Sequence, residues 1–293
     1  MKRVVLESPY AGDIAANTEY ARACMHDCLL RGEAPIASHL LYTQRGILRD
    51  DVPHECALGI EAGLIWAQCA EKSTVYIDRG ISGGMKAAVA RAEKEGRPVE
   101  YRTLRPTKII TLTGPSGAGK TSIVKKILEL RPEMHLVVSL TSRAPRSSDL
   151  PGEYQYYHSP IFFLGNDAFL WSIGVHDDHY GTLKISVNEA LVGSVPSLMI
   201  LTPDVITPLR AHAETQSGGG VLSFYISPPP VETLRARLSA RGDDAAAVER
   251  RIADCLRWNE EARASGIPYI FVSNEEEGAG IEHAAAEIVK YAG

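Results

Sequence analysis

The chain has 293 residues, 45% of them hydrophobic and 23% charged, which is ordinary for a soluble globular protein and long enough for two domains. The net charge of −5 argues against a duplex-coating nucleic-acid binder, which is normally basic. No stretch approaches the roughly 18 apolar residues of a membrane span, and the apolar run after Lys2-Arg3 is too short for a signal peptide.

The first predicted strand covers residues 3–7, followed by Ser8-Pro9-Tyr10-Ala11-Gly12-Asp13 and a helix from about residue 14 to 31. Residues 35–42 and 73–77 read as further strands, and 55–70 and 83–95 as helices. This alternation predicts a mostly parallel, Rossmann- or flavodoxin-like sheet covered on both faces. The polar stretch 97–108 contains Pro98 and Pro106 and carries the expected boundary, giving domains of 1–104 and 105–293. A second opening starts there: a strand over 108–113, a Gly-rich loop and a helix from about 121 to 130. Strands follow at 134–140, 198–201, 221–226 and 269–272, with helices at 231–241 and 244–264. The class is therefore α/β with two domains. The five cysteines are odd in number and form no CxxC pair, which predicts a reduced, cytoplasmic setting.

Gly114-Pro115-Ser116-Gly117-Ala118-Gly119-Lys120-Thr121 fits G-x-x-x-x-G-K-[ST], with a strand before it and a helix after it. Glycines at these positions let backbone N–H groups turn around a polyphosphate, and the helix that follows offers its positive end. Lys120 is the side chain that reaches the β- and γ-phosphates of ATP, and the Thr121 hydroxyl is placed for Mg²⁺. Ser122 continues the same turn. Such a loop predicts a P-loop fold and an NTP, and says nothing about the acceptor.

From Gly114 onward the chain resembles the guanylate kinase family. Ser139-Leu140-Thr141-Ser142-Arg143-Ala144-Pro145-Arg146 is similar to the family's S-x-T-T-R-x-P-R segment, whose arginines grip the acceptor's phosphate. His179-Tyr180-Gly181-Thr182 is similar to Y-Y-G-T, which implies a phosphate contact for Tyr180 and a place near the base for Thr182. Arg237 and Arg241 match the lid motif R-L-x-x-R-G and lie four apart, on one helix face. Asn274 matches the Asn near the ATP base. The resemblance implies Lys120, Arg143, Arg237 and Arg241 as the catalytic group, with ATP and Mg²⁺ as cofactors.

Three departures narrow the reading. The Glu of F-L-E-W, which reads guanine in the family, is replaced by Trp171. An indole cannot accept hydrogen bonds from guanine's N1–H and amino group. The phosphate-binding Tyr of G-x-x-Y falls on Gln155, with Tyr154 or Tyr156 as substitutes. Of the family's paired Asp residues only Asp204 is kept, a candidate Mg²⁺ ligand. The expectation is phosphorylation of a nucleoside or deoxynucleoside monophosphate with a non-guanine or modified base. The alternatives are a sugar-phosphate kinase resembling ribose 1,5-bisphosphate kinases, or a non-catalytic binding module.

Residues 1–104 resemble the nucleoside 2-deoxyribosyltransferase-like superfamily through Ser8, Tyr10, Gly12 and Asn17, through His39, and through Asp78, Ser82 and Met85. The resemblance implies a small-nucleotide site at the carboxyl edge of the sheet, and oligomerisation through this domain. The superfamily's nucleophilic Glu falls on Ala88, which cannot attack, so Glu61 and Asp78 are the carboxylates left to stand in. Inactive binding module and altered N-glycosidase or transferase both remain open.

Overall fold

A computed structural model describes residues 1–147, 149–157, 159, 167–175, 178–216, 219–239, 245–274 and 279–292, the side chains of Val175, Arg237, Ala246 and Ala247 excepted. The chain forms two compact units, Met1–Leu104 and Arg105–Ala292.

The first unit runs β1 (Lys2–Glu7), α1 (Ile14–Leu30), β2 (Glu33–Ile36), α2 (Ser38–Leu41), α3 (Pro53–Gln68), β3 (Lys72–Tyr76), α4 (Gly83–Lys94) and β4 (Val99–Arg102). The strands pair in parallel in the order β2-β1-β3-β4. This is the flavodoxin-type order, in which the chain switches direction between β1 and β3 and opens a crevice at their carboxyl ends. Val4 and Leu6 of β1 and Tyr76 of β3 pack with Tyr20, Cys24 and Cys28 of α1. Asp13 starts α1 by accepting from the Ala16 N–H, and Ser82 starts α4 by accepting from the Met85 N–H.

One expectation for this unit changes. The strand expected over 35–42 ends at Ile36, and Ser38–Leu41 turns into the helix α2. That turn lets Ser38 fit against Gly63 of α3, where a Cβ would lie 2.7 Å from the serine side chain. The polar stretch 97–108 contains β4, and the two units divide within it, after Leu104. Its charges are satisfied on an edge strand, since Arg102 makes a two-pronged ion pair with Glu33 and a further one with Glu100.

The second unit runs β5 (Thr107–Thr113), α5 (Lys120–Leu130), β6 (His135–Leu136), β7 (Ser139–Thr141), β8 (Tyr154–Tyr156), β9 (Phe169–Val175), β10 (Asp178–Leu183), α6 (Lys184–Val192), β11 (Ser197–Ile200), α7 (Ile206–Thr215), β12 (Gly220–Ser227), α8 (Val231–Ser239), α9 (Ala245–Ala264), β13 (Tyr269–Ser273) and α10 (Gly280–Ala292). Its main sheet is parallel, in the order β13-β12-β5-β11-β6. Ile109, Ile110 and Leu112 of β5 are fully buried, as a central strand covered on both faces requires. A smaller mixed sheet has the order β8-β7-β10-β9. The single strand expected over 134–140 is divided between the two sheets, because β6 pairs with β11 while β7 pairs with β10.

Candidate functional site

The phosphate loop leaves the carboxyl end of β5 and turns into α5. Gly117 and Gly119 have φ of +84° and +92°, a region that side chains disfavour. Crowding adds to this. A Cβ at Gly119 would sit 2.4 Å from Asn274 Nδ2, and one at Gly117 would sit 2.6 Å from Leu234 Cδ1. Ala118 is buried between them, while Ser116 is exposed at the loop's tip. Asn274, at the end of β13, donates from Nδ2 to the Ala118 carbonyl at 2.9 Å. Asn274 therefore braces the loop itself. Lys120 Nζ donates to the carbonyls of Gly114 and Pro115 at 2.6 and 2.9 Å. Thr121 and Ser122 occupy the first turn of α5, the former half-buried and the latter exposed.

Asp204 is exposed in the short 3₁₀ turn Pro203–Val205 that follows β11, the strand next to β5. Among the described residues no group of three or more His, Cys, Asp or Glu forms a metal cage. Thr121 and Asp204 carry hard oxygen atoms, the donor type that suits Mg²⁺ held chiefly by nucleotide phosphates and water. The loop's cradle is closed to side chains at two glycines and lies at a helix N-terminus, so these residues fit ATP with its metal.

On the small sheet, Arg143 is buried and tightly held. Its Nη1 and Nη2 donate to Asp149 Oδ2 and Oδ1 at 2.8 and 2.6 Å, and Nη1 also donates to the Ala144 carbonyl at 2.9 Å. The guanidinium lies 4.8 Å from the centre of the Tyr154 ring, whose edge meets Tyr180 at 6.1 Å. Tyr156 donates its hydroxyl to Asp149 Oδ2 at 2.8 Å, and the Arg146 N–H donates to the same oxygen at 2.7 Å. Burial alone would raise the Asp149 carboxyl, but Arg143, the Arg146 amide and Tyr156 hold it down to about 2. Asp149 in turn raises Arg143. The Arg146 side chain is exposed. Ser139 Oγ and Thr182 Oγ1 meet at 2.8 Å across β7 and β10.

The structure thus brings Arg143, Tyr154 and Tyr180 together, and pairs Ser139 with Thr182. Tyr156 points to Asp149. Trp171 is only 8% exposed and belongs to the same buried cluster as Val187, Leu191 and Leu209, so it serves as core. Arg241 and the Arg237 side chain lie outside the described residues. The α8 backbone is placed by Leu234 and Leu238, which pack with Val248, Ile252 and Cys255.

In the first unit, Ser8, Tyr10, Gly12, Asn17, Asp78, Ser82 and Met85 all follow β1 or β3 at the crevice. Asn17 Nδ2 donates to the carbonyls of Tyr10 and Ala11, and its Oδ1 accepts from Arg79. Ser8 Oγ lies 2.8 Å from His39 Nε2, and burial lowers His39 to about 4, so its imidazole is neutral at pH 7. Asp78 accepts from the Tyr20 hydroxyl at 2.6 Å and from the Leu104 N–H. Met85 is buried beneath its own helix start. Glu61 is exposed on α3.

Two acidic residues escaped the sequence reading. Asp149, three residues past Arg146, was legible as a charge partner for nearby arginines. Glu7 ends the apolar strand β1, and burial pushes its carboxyl up to about 7 against the opposing pull of Arg97. A lone charge closing a β-branched run was its signal.

Residues 106–265 match the family model described as guanylate kinase, and residues 2–102 match one described as a domain of unknown function (DUF7768). A crystal structure of guanylate kinase from Anaplasma phagocytophilum is similar with a TM-score of 0.47 and 21% identity, over 63% of this chain and 83% of that one. The guanylate kinase of Trichormus variabilis is 33% identical over 181 residues, 60% of this chain and 86% of that protein. That of a Synechococcus species is 32% identical over 190 residues, 64% of this chain and 92% of that protein. With a family model matching more than half of its length and relatives covered almost end to end, the chain belongs, through its second unit, to the guanylate kinase family.

Proposed function

We propose that the second unit phosphorylates a nucleoside or deoxynucleoside monophosphate with ATP, and that the acceptor's base is not ordinary guanine. The second clause rests on Trp171, which falls by sequence resemblance on the family's guanine-reading Glu and is buried in the core. No carboxylate from that position meets the base. The Ser139–Thr182 hydroxyl pair remains beside it and can donate or accept, so it tolerates a different pattern of base edges.

The division of labour follows from chemistry. When bound, Mg²⁺ supplies charge neutralisation at the nucleotide's phosphates, with Thr121 and Asp204 as its protein ligands. Lys120 leaves the Gly114 and Pro115 carbonyls for the β- and γ-phosphates. Arg143 and Tyr180 hold the acceptor phosphate, fixing its attacking oxygen for in-line transfer. Arg146, exposed beside them, adds a second cation. Arg237 and Arg241 belong to the lid segment whose closure excludes water.

The burial of Trp171 also favours a second reading, a sugar-phosphate acceptor. With a buried indole in place of the base-reading carboxylate, an acceptor without a base loses no contact at this position. One experiment separates the two: ADP formation from Mg-ATP across ribo- and deoxynucleoside monophosphates, base-modified ones, ribose 1-phosphate and ribose 1,5-bisphosphate. Turnover of GMP alone at a kinase-like rate overturns the altered-base reading. Turnover of sugar phosphates alone selects the second.

For the first unit, the reading is a small-nucleotide site of the nucleoside 2-deoxyribosyltransferase-like kind. It is supported by the flavodoxin-type strand order and by the gathering of Ser8, His39, Asn17 and Asp78 at one sheet edge. Asp78 is engaged with Tyr20 and the Leu104 amide, and Glu61 is exposed on α3, so neither is poised as a nucleophile. The reading is therefore binding without glycosidic cleavage. Isothermal titration with deoxynucleoside 5′-monophosphates tests binding, and release of free base tests cleavage.

A further inference from the structure

A guanidinium offers five N–H bonds, arranged as an end-on fork (Nη1 and Nη2), a side-on fork (Nη2 and Nε) and one outer N–H on Nη1. In this protein Asp149 fills the end-on fork of Arg143, at 2.8 and 2.6 Å. The Ala144 carbonyl takes the outer N–H of Nη1 at 2.9 Å. Tyr154 lies against the guanidinium at 4.8 Å. Three of the five N–H bonds are thereby spent, and the two that remain, on Nε and Nη2, form the side-on fork. Among the described residues nothing is recorded against that fork. Asp149 is itself fixed by the Tyr156 hydroxyl and the Arg146 amide.

We infer that Asp149 is a positioning residue for the acceptor: it locks Arg143 from behind so that the side-on fork is presented to the acceptor's phosphate. This rests on the reading that Arg143 binds that phosphate. Tyr156 then acts one step further back, through Asp149, and does not touch the acceptor. The arrangement has a physical advantage. A guanidinium with both ends free samples many rotamers, and ordering it costs free energy each time the acceptor binds. A carboxylate already in place removes that cost and keeps a buried cation paired when the acceptor is absent.

The rival view of the same geometry is that Asp149 is a placeholder, sitting where the phosphate goes and competing with it. The two views differ in sign. Full-length protein is assayed for ADP formation from Mg-ATP with the acceptors named above, and the best of them is carried to the variants. For a positioning residue, Asp149→Asn raises the acceptor KM about tenfold or more, leaves the ATP KM within about twofold, and is partly rescued by Asp149→Glu. Because Asp149 acts through Arg143, Asp149→Asn adds less than about twofold on top of Arg143→Met. A lower acceptor KM in Asp149→Asn would overturn the inference in favour of the placeholder. So would penalties that multiply in the double variant. An acceptor KM that Arg143→Met leaves unchanged overturns the underlying reading of Arg143, and with it the inference. Silence of the wild type on every acceptor does the same.

Discussion

Asn274 and Ala118 are 156 residues apart in the chain and joined by a 2.9 Å hydrogen bond, so the last strand of the sheet holds the phosphate loop in shape. Asn274 is 1% exposed, so its bond to the Ala118 carbonyl is shielded from solvent. Replacing it with alanine leaves a buried carbonyl unpaired, at a cost of about 1–3 kcal/mol. The expected outcome for Asn274→Ala is a lower melting temperature of the second unit and a KM for ATP that rises more than the KM for the acceptor. Equal KM changes for both substrates would show that the brace does not act on the loop.

Lys120 presents a complementary case. Its ammonium rests on two loop carbonyls, and the side chain is only half-buried. Its charge is needed where the transferred group develops negative charge. Lys120→Ala is expected to lower turnover by about a hundredfold or more, with the circular-dichroism spectrum unchanged and stability reduced by no more than about 1–3 kcal/mol. Full activity in that variant would remove Lys120 from the reaction.

What the sequence disclosed follows the range of the interactions. The phosphate loop is contiguous, and its strand, turn and helix are legible from eight residues. Arg143 and Tyr180 carry recognisable short motifs, yet the bond from Arg143 to Asp149 depends on a loop path that no local pattern states. In β9 the residues do alternate, with Phe169, Trp171, Ile173 and Val175 apolar and Ser172 and Gly174 between them, so its strand character was legible, but its pairing with β10 across the small sheet was not. The break of residues 134–140 between two sheets is likewise set by partners, β11 on one side and β10 on the other. Trp171 shows the same limit: its position in a motif was readable, its burial was not.

That burial is itself testable. A large aromatic removed from a packed core leaves a cavity, and Trp→Ala at such a site costs about 3–5 kcal/mol. Trp171→Ala is expected to lower the melting temperature of the second unit clearly, measured by calorimetry with no ligand present. A stacking residue in an open site would behave oppositely, with unchanged stability and a raised acceptor KM. That result would return Trp171 to the acceptor pocket.

Glu7 gives the first unit a pH-dependent weakness. Burial raises its carboxyl from 4.5 to about 7, with Arg97 pulling the other way. The folded state therefore binds a proton at Glu7 more tightly than the unfolded chain does. Its contribution is most favourable below about pH 4.5, is lost as pH rises to about 7, and stays lost above that. His39, lowered to about 4, has the opposite slope: protonation of the unfolded chain draws stability away as pH falls from about 6.5 towards 4. The two effects overlap in the wild type, but a comparison with Glu7→Gln cancels His39, which is present in both. Glutamine keeps the shape and has no proton to lose. Urea unfolding of the full chain should therefore show a small gain from Glu7→Gln at pH 5, growing to about 2–3 kcal/mol at pH 8. A gain of the same size at both pH values would mean that Glu7 titrates alike in the folded and unfolded chain. A loss at pH 8 would mean that its carboxylate is stabilised there by Arg97 more than burial penalises it.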